Sequence, residues 1–264
     1  MYNVRIHGKS PYTIAVIHGG PGGGGEMAPV ARELAAGGHG VLEPLQISST
    51  VEGQIEELQA VLTKYRSSPF ILIGHSWGAW LCFMVAARYP ALVKKLLLVA
   101  SGPFEDKYVA GLHRTRMDRL RAEEQNEFDA ILQTLADPMA GNKNLLFSRL
   151  YDLVTKADSY ELIPLEAEES NLIEKRWDIF QSIWETAAQL RKSGELLALG
   201  KHIQCPVIAV HGDYDPHPAA GVEKPLSDVL SDFKFVPLKK CGHCPWMERH
   251  ARDQFYRIIK EETT

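Results

Sequence analysis

The chain lacks most of what would take it outside the ordinary globular class. It has 4 cysteines in 264 residues, too few for a small disulfide scaffold. Cys241-Gly-His-Cys244 has C-x-x-C spacing, but no second C-x-x-C or H-x-x-H accompanies it, so a structural zinc site would lack half its ligands. We read these two as reduced thiols flanking a histidine, and Cys82 and Cys205 as small core residues. Basic and acidic side chains number 29 and 33, and no long run of Lys or Arg occurs. Neither nucleic acid nor an anionic membrane is therefore an expected partner. No apolar run approaches the roughly 20 residues that span a bilayer. Met1 to His7 has no apolar signal-like stretch, and the expected compartment is the cytosol. Internal repeats are absent, and the only biased segment is a short glycine run.

What is present alternates. Thr13–His18, Gly40–Glu43, Phe70–Ile73, Lys95–Ala100, Cys205–Gly212 and Phe233–Leu238 are short apolar runs that read as strands. Helical spacing falls at 27–36, 51–65, 79–88 and 246–260. Such alternation predicts an α/β fold, a mostly parallel sheet with helices on both faces. Pro237 places the last strand near an edge. From about Phe104 to Gly200 the chain is charged, helical in period and without a convincing strand, with 116–135 and 172–197 the clearest runs. The expected organisation is a core of residues 1–103 and 201–264, interrupted by a helical cap over 104–200.

The chemistry centres on Gly74-His75-Ser76-Trp77-Gly78, which lies between an apolar strand and an apolar helix. A serine there is held on a sharp bend, flanked by residues that must be small, with helix N–H groups aimed at it. The five-residue pattern alone is weak; its context gives it meaning. A nucleophilic serine needs a base and an orienting acid. Gly212-Asp213-Tyr214-Asp215 follows one strand and Gly242-His243 the next, so Ser76, Asp215 and His243 occur in the order expected after such a bend. Asp213 is the rival acid. The loop His18-Gly19-Gly20-Pro21-Gly22 can bring a backbone N–H close to a substrate, and we assign the oxyanion donors to Gly20 and Trp77. That loop also matches G-x-G-x-x-G, with Glu43 about 20 residues on, as in dinucleotide sites. In so glycine-rich a stretch the match is nearly automatic, and it leaves Ser76, Asp215 and His243 unexplained. No cofactor and no metal are expected.

These four motifs, in this order, resemble the α/β-hydrolase superfamily over nearly the whole chain. The resemblance selects Asp215 over Asp213. Within the superfamily, His-Gly-Gly-Pro-Gly and Ser-Trp-Gly are similar to the proline iminopeptidase branch, whose members remove an N-terminal residue from peptides; serine esterases and carbon–carbon bond hydrolases share the layout. The resemblance implies that cap glutamates hold a substrate amine. Glu166, Glu168 and Glu169 are available, and Trp184-Glu185 is similar to a Trp-Glu pair of that branch; Glu169 and Glu185 are taken as the substrate-binding candidates. Glu43 to Ser49 departs from the family's usual Asp-x-x-Gly-x-Gly-x-Ser stretch, and the N-terminal hairpin is shortened. The expected function is cofactor-independent hydrolysis of a carboxylic ester or amide through an acyl-enzyme, on a small-molecule or short-peptide substrate. A carboxylesterase, a carbon–carbon bond hydrolase, and a ligand-binding receptor or scaffold with the hydrolase fold are the alternatives. Oligomeric state is left open.

Overall fold

The computed structural model describes residues 3–163 and 173–264. The apolar runs become strands β1 (Val4–His7), β2 (Tyr12–Ile17), β3 (Gly23–Gly24), β4 (Gly40–Pro44), β5 (Phe70–His75), β6 (Val93–Val99), β7 (Glu174–Lys175), β8 (Val207–Gly212) and β9 (Phe233–Leu238). Seven of these form one sheet in the order β1-β4-β2-β5-β6-β8-β9. Its members run parallel except β1, which pairs antiparallel with β4. Pro237 is tolerated because β9 is an edge strand, as the sequence predicts.

The sheet is buried on both faces, which is why its strands read as continuous apolar runs. Alternate residues of β2 part company: Ala15 and Ile17 join one core cluster, Ile14 and Val16 the other. The same division holds for Leu96 and Leu98 against Leu97 and Val99. The first cluster is covered by α2 (Val51–Tyr65) and α3 (Trp77–Arg88); the second is covered by α1 (Ala28–Ala36) and the C-terminal Arg252–Thr263 helix. Helix α2 starts where Thr50 accepts the Gly53 N–H at 3.0 Å, a side-chain cap. Burial of Trp77 to Ala87 on every side puts α3 at the centre of the molecule.

Between β6 and β8 run α4 (Leu112–Arg119), α5 (Ala122–Ala136), α6 (Lys143–Asp158), α7 (Trp177–Ser193) and the short α8 (Glu195–Ala198). The run at 116–135 is two helices, because the chain is extended at Leu120 and Arg121, where the Glu124 carboxylate accepts the Arg121 N–H. Within the run at 172–197, the described residues form a helix from Trp177, and Gly194 stops it in the left-handed conformation. A two-residue strand, β7, pairs with the glycine loop strand β3; so short a strand leaves no periodic signal. Helices α5 and α6 enclose a small apolar core of their own, with Phe128, Ile131, Leu135, Leu150 and Leu153. After β8 come α9 (Ala220–Val229), β9 and the C-terminal helix, now α10 (Arg252–Thr263). That last helix begins later than its apolar pattern, because Pro245–Met247 forms a separate tight turn.

Parallel pairing has one consequence for function. The C-terminal ends of β2, β5 and β8 all open on the same edge of the sheet, as does that of β9. Hence His18, Ser76, Asp215 and the loop to His243 converge there.

Candidate active site

Ser76 sits between the last residue of β5 and the first of α3, with φ 52° and ψ −113°. A non-glycine residue at positive φ is strained and held only where its surroundings fix it. Here they do. The Ser76 N–H donates to the Val99 carbonyl at 3.0 Å, and its own carbonyl accepts the Ala79 N–H at 3.1 Å. A Cβ on Gly78 would stand 2.4 Å from the Ile17 carbonyl oxygen, so only glycine lets α3 start against the end of β2. Ser76 is half-buried and lines a pocket. Its hydroxyl has no hydrogen-bond partner among the described residues; such bonds often tighten only in the substrate complex.

Asp215 and His243, the candidate acid and base, are brought together. The His243 Nδ1–H donates to Asp215 Oδ2 at 2.7 Å. Asp213, the rival, is exposed and faces Lys239 at 3.5 Å. Asp215 has a second imidazole that sequence reasoning missed. His217 donates both its backbone N–H (2.9 Å) and its Nδ1–H (2.8 Å) to Asp215 Oδ1. The two rings lie 4.6 Å apart. Burial alone would push the Asp215 carboxyl up, but the nearby His243 and His217 hold it well below the usual carboxylate range. The imidazoles move in opposite directions. Burial dominates at His217 and lowers it, whereas at His243 burial is outweighed by the charge and hydrogen bond of Asp215, which raise it. The charged form is thereby disfavoured at His217 and favoured at His243. Only the Asp-Pro-His-Pro spacing hinted at His217.

Asp215, His217 and His243 also form a cluster of metal-ligand size among the described residues. Their Nδ1 and carboxylate atoms, however, already bond to one another.

The proposed oxyanion donors are the backbone N–H groups of Trp77 and Gly20. Trp77 is the first residue of α3, so its N–H has no acceptor within the helix. Gly20, at φ 109°, follows a peptide that is firmly held: the Gly19 N–H donates to the buried carboxylate of Glu26. Glu26 also accepts from Tyr151 of α6 at 2.6 Å, and its Oε1 lies 2.5 Å from His75 Nδ1. Burial would raise the Glu26 carboxyl; His75 and the Tyr151 hydroxyl outweigh it and bring it to about 2. The other nitrogen of His75 reaches the His243 carbonyl at 3.0 Å. One carboxylate thus links the glycine loop, the residue before Ser76, the loop of His243 and the inserted helices. The sequence does not show this, because Glu26 and His75 are 49 residues apart and their contact is purely tertiary.

Glu43, which completes the dinucleotide pattern in sequence, is buried and bonded to His7 at 2.8 Å. It points into the sheet's own pairing and not to a ligand. Cys241 and Cys244 are free and buried, and burial raises both thiols.

The pocket walls are mostly apolar. Beside Ser76 and His217 stand Trp80, Tyr108, Trp184 and Arg191. Trp184 stacks parallel on Trp80 at 6.4 Å and on Phe180 at 5.6 Å. Glu185 is exposed and does not line this pocket. Glu166, Glu168 and Glu169 lie outside the described residues.

Comparisons with known proteins agree with this architecture. Several solved structures cover 98% of the chain. VinJ has a TM-score of 0.71 at 18% identity, covering 93% of that chain. A thioesterase domain from the curacin biosynthetic pathway has 0.67 at 20%, covering 94%. The proline iminopeptidase of Mycobacterium smegmatis has 0.65 at 16%, covering 93%. At these identities the likeness is one of fold. A mouse protein, ABHD8, is 36% identical over 75 residues; the match takes in 28% of this chain and only 17% of that protein. In the described residues no helix is long and apolar enough to cross a membrane. The model of the alpha/beta hydrolase family matches residues 14–257, nearly the whole sheet and everything inserted in it, and the chain therefore belongs to that family.

Proposed function

We propose that the protein is a cofactor-independent serine hydrolase that cleaves a carboxylic ester through an acyl-enzyme. The reading rests above all on one observation: a buried aspartate holds the Nδ1–H of His243 at 2.7 Å, on the sheet edge where Ser76 is fixed at positive φ. Asp215 fixes the tautomer, leaving His243 Nε2 to accept the Ser76 proton as Oγ attacks the carbonyl carbon. The N–H groups of Gly20 and Trp77 receive the charge that develops on the carbonyl oxygen. His243 then gives its proton to the leaving alcohol as the C–O bond breaks. Water, deprotonated by His243, attacks the acyl-enzyme and releases the acid and Ser76. Residues 104–200 act as a cap that closes over the site and selects the substrate.

An ester fits better than an N-terminal aminoacyl substrate. No carboxylate among the described residues lines the pocket to receive a free amine, and the charge that does line it is the cation of Arg191.

A fluorophosphonate probe tests the assignment. Native protein should be labelled at Ser76, and Ser76→Ala and heat-denatured protein should not. Unlabelled native protein, beside a control hydrolase that reacts, would favour a receptor or scaffold on the hydrolase fold.

A further inference from the structure

Arg191 is out of character with the pocket it lines. It stands in the last turn of α7 and is 8% exposed. Its guanidinium carbon lies 5.7 Å from the Trp80 ring centroid. Around it are the apolar surfaces of Trp80, Tyr108, Val109, Leu112 and Trp184. A charge so enclosed needs a partner. The one present is poor: Nε and Nη2 both reach a single oxygen of Asp106, at 3.3 and 3.2 Å, near the long limit of such bonds. Asp106 itself is half exposed to water. Nη1 has no hydrogen-bond partner among the described residues, and the second Asp106 oxygen makes none with Arg191. The Nη1 side of the planar guanidinium is therefore left to pair with a second carboxylate.

The rest of the pocket adds no competing charge. Burial disfavours the charged form of His217. Ser76 and Arg191 both line the pocket, so a molecule filling it meets the serine and the cation. Between them the surface is aromatic and aliphatic.

We propose that Arg191 binds a free carboxylate at the far end of the acyl group, so that the substrate is a hemi-ester of a dicarboxylic acid with an apolar stem. The inference rests on the serine-hydrolase reading above. The stem lies along Trp80 and Trp184, the scissile carbonyl reaches Ser76, and the distal carboxylate pairs with Arg191. Hydrolysis leaves that carboxylate unchanged: the alcohol departs, water supplies the new oxygen, and the product is the free diacid.

The experiment compares p-nitrophenyl hemi-esters of glutaric, adipic and suberic acid with the same compounds capped at the distal end as methyl esters. Wild type should favour at least one free acid by roughly 10- to 100-fold in kcat/KM, the range of a hydrogen-bonded charge pair. Arg191→Met should bring that ratio close to one, and Arg191→Lys should keep part of it. The ratio is taken within one protein, so a change in the folded fraction cancels. Calorimetry with adipate provides a readout independent of turnover: Ser76→Ala should bind it, and Ser76→Ala combined with Arg191→Met should not. If wild type turns over the capped esters as fast as the free acids, or if Arg191→Met keeps the preference, the carboxylate anchor is wrong while the hydrolase reading stands. If no ester is turned over and the fluorophosphonate fails, the hydrolase reading falls. In that case adipate binding that depends on Arg191 still supports the anion site, and its absence overturns it.

Discussion

The sheet and the helices inserted between β6 and β8 are stabilised in different ways. In the sheet, successive residues of each central strand enter opposite core clusters, and Ile14, Val16, Leu72, Leu97 and Leu98 have no exposed surface. Helices α5 and α6 share one small cluster of their own, while α7 sends Ile179, Ile183 and Ala187 into the first core cluster; the insertion leaves Met139 89% and Leu145 70% exposed. Doubly covered strands hold the proposed chemistry; the more exposed, charged insertion supplies Tyr108, Val109, Leu112, Trp184 and Arg191 to the pocket wall. Catalytic geometry tolerates little movement, whereas selection requires access, so a division of this kind is expected on physical grounds.

The division is not a gap, because the two regions are joined close to the reacting groups. Glu248, fully buried, accepts the N–H groups of Tyr160 and Glu161, just past α6 in the insertion, and that of Gly242 beside His243. The His243 N–H donates to the Asp158 carbonyl at 2.9 Å, and Arg116 grips the Asp158 carboxylate with two bonds of 2.8 and 2.6 Å. A Cβ on Gly242 would lie 2.0 Å from that same carbonyl oxygen. The loop carrying the proposed base is thus shaped partly by the insertion.

The largest expected effect separates chemistry from selection. Ser76→Ala or His243→Ala should lower kcat by about 10⁴-fold or more, as when members of such a unit are removed elsewhere. Trp184→Ala, on the insertion, should act mainly on KM and substrate preference, by roughly 10-fold. Steady-state kinetics on one ester decides. A kcat loss for Trp184→Ala as large as that for Ser76→Ala would place the insertion inside the chemistry and undo the comparison. The same assay has a pH arm. Asp215 raises His243, so the acid limb of kcat/KM should lie above the ordinary histidine value of about 6.5. Asp215→Asn should move that limb to lower pH while the plateau falls about 10⁴-fold.

The next effect concerns stability. Leu97→Ala removes a fully buried side chain between β5 and β8 and should cost about 4 kcal/mol. Leu150→Ala, in the small cluster of the insertion, should cost about 2 kcal/mol because the helices can settle around the void. Urea unfolding measures both. Equal costs would mean that the insertion is packed as firmly as the sheet.

Legibility in the sequence divides along the same line. Buried strands announce themselves by composition, and a serine bend by its glycines, so the sheet order of events from His18 to His243 was readable, as was the edge position of β9; Asp215 was preferred to Asp213 only through the family resemblance. In the insertion the periodicity showed helices but not where they stop: the break at Leu120 depends on a local cap, and the start of α7 at Trp177 on tertiary packing. The Glu26–His75 contact and Arg191 against Trp80 were unreadable for one reason. Each is a side chain of ordinary type whose meaning comes from residues brought near by folding, and no spacing rule encodes that.

The smallest effect tests the join itself. Tyr151 of α6 donates to Glu26 across the boundary at 2.6 Å, one of few charge-assisted bonds between the regions close to the glycine loop. Tyr151→Phe removes the donor but leaves Glu26 its bonds to Gly19 and His75. The loss should be about 1.5 kcal/mol at neutral pH. It should also depend on pH in a set direction. Glu26 in the folded protein is lowered from 4.5 to about 2, so the stabilisation it gains from its partners is fully present above about 4.5 and is lost as pH falls towards 2. Tyr151 contributes part of that lowering. The gap in stability between wild type and Tyr151→Phe should therefore be widest above pH 4.5 and narrow on acidification. A gap that stayed constant from pH 7 down to the acid transition would mean that the hydroxyl acts through packing alone, and that the charge of Glu26 binds the glycine loop to the sheet without binding the insertion to either.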